Sequence, residues 1–157
     1  MTALRIRTPC IGICSTTYGG DVCRGCKRFA HEIIDWNRYS DAQKQLVWDR
    51  LTALVAAVVT PRLSIFDADL LAQTLRSLGV RYHDDQAPAF GALELLRALG
   101  QQRVDLTRFG LAPMPAWSAL SPAELYREIT EDLLLRSEAA YDLQHGRARR
   151  LLQNWDG

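Results

Sequence analysis

Four cysteines, Cys10, Cys14, Cys23 and Cys26, could hold a metal, and all of them fall within 17 residues of a 157-residue chain. Their spacing is C-x3-C, a gap of eight residues, then C-x2-C. Two short pairs joined by a turn-sized loop can bring four sulfurs to one point, as tetrahedral thiolate coordination requires. The gap holds Tyr18-Gly19-Gly20-Asp21, a tight-turn signal that folds one pair back on the other. Gly25 lies inside the second pair, where a backbone without a Cβ lets N–H groups face the sulfurs. The expectation is one metal centre held by all four cysteines.

The competing uses of cysteine fit less well. Disulfides need an oxidising compartment, and the stretch Met1–Arg7 shows no apolar export segment, so a reducing, cytoplasmic setting is expected. At 48% hydrophobic the chain can build a core without staples. A redox C-x2-C stands beside a βαβ pattern, and none follows here. The identity of the metal stays open. Paired short spacings favour Zn2+; common ferredoxin spacings place three cysteines together and a fourth far away, but thiolates serve an irregular iron–sulfur frame as readily. Four thiolates leave a negative centre, and Arg5, Arg7, Arg24, Lys27 and Arg28 face a single Asp21 nearby. These cations either offset that charge or form an interaction rim, and the rim is the expectation. His31 follows the last cysteine by five residues and is read as a helix residue rather than a ligand.

Pro9-Cys10-Ile11-Gly12-Ile13-Cys14, then Cys23-Arg24-Gly25-Cys26-Lys27-Arg28, then Glu32-Ile33 and Trp36 form a longer pattern. With Lys44, Val47, Trp48 and Leu51 it resembles the bacterial family called domain of unknown function 1289, over roughly residues 8–55. The resemblance implies a small iron–sulfur protein, a label that rests on cysteines and carries no activity. Phe29 departs from the pattern, which has a small hydroxyl residue there.

The rest of the chain must position this segment, and it reads as helices. Phe29, Ile33 and Trp36 recur at helical spacing, with Glu32 and Asp35 on the other side. Ser40-Asp41-Ala42-Gln43 is a capping box opening a helix to Val59, with Val47, Leu51, Leu54, Val55 and Val58 on one face, broadened by Leu46 and Trp48. Thr60-Pro61 stops it. Trp36 and Trp48 are expected to pack together over the metal site. Beyond Pro61, Phe66, Leu70, Leu71, Leu75 and Leu78 predict a helix ending at Gly79. Residues 80–85 connect it to a helix from Pro88 to Leu99, and His83 with Asp84 and Asp85 is read as a loop. Residues 101–120 are irregular, and packing of their apolar groups is preferred to a partner-binding segment. Ser121-Pro122-Ala123-Glu124 opens a last long helix, broken near Gly146. A terminal piece follows with Leu151, Leu152 and Trp155, and Arg147, Arg149 and Arg150 read as a solvated face.

The predicted fold is all-α: a small N-terminal four-cysteine knuckle followed by a bundle-like helical core. It divides into residues 1–60 and a helical region 61–157. The longest apolar run is too short for a membrane span. A formal net charge of +1 demands no polyanionic partner. With a closed ligand set and no nucleophile–base arrangement, the first reading is a non-enzymatic accessory protein whose four-cysteine site presents a surface to another protein. Two alternatives stand beside it: an iron–sulfur protein for electron transfer or redox sensing, and a zinc-knuckle protein binding RNA or the ribosome.

Overall fold

The computed structural model describes residues 6–11 and 20–146. Cys14, Arg5, the Tyr18-Gly19 half of the turn, the Arg147, Arg149 and Arg150 cluster and the terminal piece with Trp155 lie outside the described residues. Among the described residues five α-helices follow in order: α1 (Ala30–Ile34), α2 (Asp41–Val59), α3 (Ala68–Ser77), α4 (Pro88–Leu99) and α5 (Pro122–Tyr141). Two three-residue strands, β1 (Leu63–Ile65) and β2 (Leu111–Pro113), pair antiparallel with Ser64 opposite Ala112. The protein is thus mainly helical with one small sheet. No helix among the described residues is long and apolar enough to cross a membrane.

The chain forms two compact units: Met1–Leu51 with Leu133–Gly157, and Thr52–Asp132. Residues 133 onward, grouped from sequence with the helical remainder, therefore belong with the cysteines, and the second half of α2 belongs with α3 and α4. We call these the cysteine unit and the helical unit.

In the helical unit, α3 packs on α4, and the sheet sits beside α4. Leu63, Leu71, Leu75, Leu95, Leu96, Leu111, Leu125 and Ile129 are fully buried. Each such side chain contributes about 1.5–3 kcal/mol through the apolar surface it removes from water. The helix expected from Phe66 begins later. The Phe66 and Asp67 N–H groups both donate to the Gly110 carbonyl, and Asp67 caps α3 by accepting from Leu70 N–H at 3.0 Å. Phe66 and Leu78 consequently lie outside α3 and are exposed, which leaves Leu71 and Leu75 as its buried residues. Gly110 has φ 83°, and a Cβ there would stand 2.3 Å from the Asp67 carbonyl oxygen, so this turn admits no side chain.

Residues 101–120 are packed rather than loose. Two short 3-10 turns (Leu106–Phe109 and Pro115–Trp117) flank β2, and Leu106 and Leu111 are buried. The Arg62 guanidinium lies 4.9 Å from the Trp117 ring centre and pairs with Asp132 at 2.9 Å. Both capping boxes form as their sequences predict. Ser40 and Gln43 exchange bonds of 2.8 and 3.2 Å, and Ser121 and Glu124 bonds of 2.9 and 3.2 Å.

Candidate metal centre

Around the second cysteine pair the backbone closes a tight hairpin. Val22 bridges Phe29 in antiparallel fashion, Cys23 N–H donates to the Arg28 carbonyl at 2.9 Å, and Ala30 N–H donates to the Asp21 carbonyl at 2.8 Å. Inside it, Lys27 N–H donates to the Cys23 carbonyl at 2.9 Å, folding Cys23-Arg24-Gly25-Cys26 into one turn. The left-handed residue of this turn is Lys27, at φ 64°. A residue with a Cβ adopts that conformation at a cost of about 1–2 kcal/mol. The Lys27 amine folds back to donate to the Arg24 carbonyl and, at 3.1 Å, to the Gly25 carbonyl, which offsets that strain. The residue of this turn that takes the left-handed conformation is thus Lys27 and not Gly25.

Cys23 is buried, Cys26 half-buried and Cys10 exposed. The side chains of Cys23 and Cys26 share a hydrogen bond. That bond, followed by burial, drives the Cys26 thiol far above its ordinary range, while the bond and charge from Arg28 oppose the rise. Burial lowers the Lys27 amine, and the two cysteines pull it back up. Cys10 N–H donates to the Thr8 hydroxyl at 3.3 Å, and its segment is tied to α2 where Trp48 Nε1–H donates to the Arg7 carbonyl at 2.8 Å. Among the described residues no group of three or more metal-ligating side chains gathers at one point, and Cys14 is not among them.

The expected rim divides. Arg7 and Arg24 are exposed, but Lys27 and Arg28 are 5% and 4% exposed, so these two are not surface groups. Arg28 Nε–H donates to Cys26 Sγ at 3.2 Å, and its guanidinium lies 5.0 Å from the Trp36 ring centre. Trp36 is itself buried and also takes the Lys44 amine, at 5.8 Å. Trp36 thus reaches the cysteine pair through Arg28. Trp48 holds the segment that carries Cys10.

A second set of residues escaped the sequence reading. Glu32, which the helical period sets on the side away from Phe29, Ile33 and Trp36, is 4% exposed. Its carboxylate accepts the Phe29 N–H at 2.8 Å and forms a bidentate pair with Arg50, both bonds 2.6 Å. The Arg50 guanidinium also lies 4.1 Å from the Phe29 ring centre. Phe29 further meets Tyr141 at 5.3 Å and His145 at 5.9 Å between ring centres, and His145 meets His31 at 5.0 Å. Tyr141 ends α5, and His145 lies on the π-helical turn Asp142–Gly146 that follows. A signal for part of this set is visible in the chain: Glu32 between Phe29 and Trp36, and Lys44 before Val47 and Leu51, stand as charges in otherwise apolar helical stripes.

Residues 8–54 match the family described as "Protein of unknown function (DUF1289)". The chain is also similar to the "Uncharacterized protein YdhL" of Escherichia coli K12 and of Shigella flexneri. Each is 45% identical over 42 residues, which is 27% of this chain and 52% of the relative. The chain therefore spans about half the length of the curated relatives it matches. No solved structure matches it. Every residue of the Cys26–Arg28–Trp36–Lys44 and Glu32–Arg50 sets falls inside the matched segment.

Proposed function

We propose that Cys10, Cys14, Cys23 and Cys26 together hold one metal centre, Zn2+ or an iron–sulfur cluster, in an accessory protein that presents a surface to another protein. One observation carries the metal reading. Lys27, Arg28 and Lys44 are buried at 5%, 4% and 7% exposure, and among the described residues no carboxylate pairs with any of them. The buried carboxylate nearby, Glu32, is already engaged by Arg50. Burying charge without a counter-charge is strongly unfavourable. Four thiolates around a divalent ion or a typical cluster carry net negative charge, and one of the three cations already donates to a cysteine sulfur. When bound, Zn2+ supplies a cross-link between the two cysteine pairs, and a cluster supplies a site for electrons.

Support for an interaction surface comes from the same unit, where Arg7 and Arg24 are exposed together with Ile34 and Leu46. Burial of Lys27 and Arg28 removes two of the five cations that a nucleic-acid reading would need, so a protein partner is preferred. Electron transfer or redox sensing is the second reading. Cys10 is exposed, which would put a cluster within reach of a redox partner.

The test is elemental analysis with an absorption spectrum on protein purified without oxygen. The expected result is one centre per chain, lost on replacing any of the four cysteines by serine. Full metal occupancy in two or more of the single variants overturns the proposal. Visible absorption that bleaches reversibly on reduction selects the second reading.

A further inference from the structure

We infer that Arg28 is a positioning residue for the metal centre, clamped by Trp36 so that it orients the Cys26 sulfur. The inference rests on the four-thiolate reading above. Arg28 touches both cysteines of the second pair by different atoms. Its carbonyl accepts the Cys23 N–H at 2.9 Å, and its Nε–H donates to Cys26 Sγ at 3.2 Å. One residue therefore fixes the backbone of the first ligand and the sulfur of the second.

The side chain is committed to this task. It is 4% exposed, so its charge is not available to a partner in solvent. No carboxylate among the described residues draws it elsewhere, and the Trp36 ring at 5.0 Å holds the guanidinium plane in place. A planar guanidinium can stack on an indole and donate from Nε at the same time, whereas a lysine ammonium is a point charge on a flexible stem. The Nε–H aimed at Cys26 Sγ fixes the direction from which the sulfur can meet a metal. Groups that orient a metal ligand in this way typically change affinity by 10- to 100-fold, on the order of the effect expected here.

Co2+ serves as the probe, because its sulfur-to-metal charge-transfer bands report thiolate ligation directly. The full chain is stripped of metal, titrated with Co2+ without oxygen and competed with a chromogenic chelator. Arg28→Met and Arg28→Lys are expected to lose roughly 10- to 100-fold in Co2+ affinity and to shift the charge-transfer band, with helical circular dichroism retained. Trp36→Phe, which leaves Arg28 in place but weakens its clamp, is expected to fall between these variants and the parent. Arg38→Ala, at an exposed position of the same unit, is expected to leave both readouts unchanged. If Arg28→Met fails to fold, Arg28→Lys and Trp36→Phe decide. Parent-like affinity and band in the folded Arg28 variants overturn the inference while leaving the metal reading intact. A parent chain that takes up no Co2+ and carries neither zinc nor iron when purified without oxygen overturns both.

Discussion

The two units of this protein bury different chemistry. In the helical unit the buried side chains among the described residues are apolar: Val58, Leu63, Leu75, Leu95, Leu96, Leu111 and Ile129 fill it. Its charged groups lie towards the surface, as caps such as Asp67 or as the partly exposed Arg62–Asp132 pair. Every buried polar or charged residue among those described belongs to the cysteine unit: Lys27, Arg28, Glu32, Lys44 and Ser137. Apolar burial is non-directional and needs no outside partner. Buried charge needs a counter-charge in a fixed place. Apolar burial thus accounts for the helical unit, whereas the cysteine unit buries cations for which the proposed four-thiolate centre would supply the counter-charge.

The sharpest way to break this contrast is to take the proposed centre away. Cys23→Ser, or a strong chelator applied to the parent, is expected to unfold the hairpin Val22–Phe29 and the contacts that hang from it. Metal binding and local folding are coupled, with apparent free energies of about 10–16 kcal/mol in small zinc-site peptides. Amide hydrogen exchange checks this: protection should fall around Cys23 and Ala30 and persist in α3 and α4. Unchanged protection at the hairpin would show that the buried cations are accommodated without a metal.

Next in size is the Glu32–Arg50 pair. Glu32→Ala removes a bidentate partner of Arg50 and the acceptor of the Phe29 N–H. Removing one member of a buried pair costs about 3–5 kcal/mol, and the lower end applies because the Arg50 side chain is 30% exposed. Urea unfolding measures the loss. The double variant with Arg50→Ala should recover part of it, because no charge is then left unpaired. Additive losses would mean that the pair is not a unit.

The matching change in the helical unit is Ile129→Val, which trims one methylene from a fully buried residue. A loss of about 0.5–1.5 kcal/mol is expected, with metal content and the Co2+ spectrum unaltered. Altered metal binding would remove the distinction between the units.

How much of this was legible in the sequence follows the same division. Helix placement in the helical unit was readable because period and punctuation agree: Pro88 opens α4, Gly100 ends it, and Leu93, Leu96 and Leu99 bury one face. The start of α3 was not. Phe66 continues the apolar period but its N–H is held outside the helix by the Gly110 carbonyl, a partner 44 positions away that no local pattern reveals. In the cysteine unit the four cysteines stood out by residue type and spacing, and the family resemblance stands over residues 8–54. What lay hidden was the roles of the cations. Lys27, Arg28 and Lys44 look like surface groups by type, and only tertiary packing against Trp36 and the cysteine turn buries them.

The smallest effect concerns a charge at the surface of the helical unit, where the contrast predicts consequences that stay local. Asp105 caps the 3-10 turn Leu106–Phe109, accepting the Thr107 N–H at 3.0 Å and the Thr107 hydroxyl at 2.6 Å. These two bonds, with a smaller contribution from Arg108, hold its carboxyl below the ordinary value of 3.8. A lowered folded value means that the cap's contribution is fully present above the ordinary value and is lost as pH falls through the lowered one. Thr107→Val deletes the hydroxyl donor and keeps the backbone N–H, so the Asp105 carboxyl should titrate closer to 3.8. Carboxyl-carbon NMR follows that midpoint directly. Signals of α4 and the metal content should not move, because an exposed cap shares no counter-charge with the cysteine unit. An unmoved midpoint would show that the hydroxyl bond does not hold the carboxylate, and a change in metal content would show that surface charge in one unit is felt in the other.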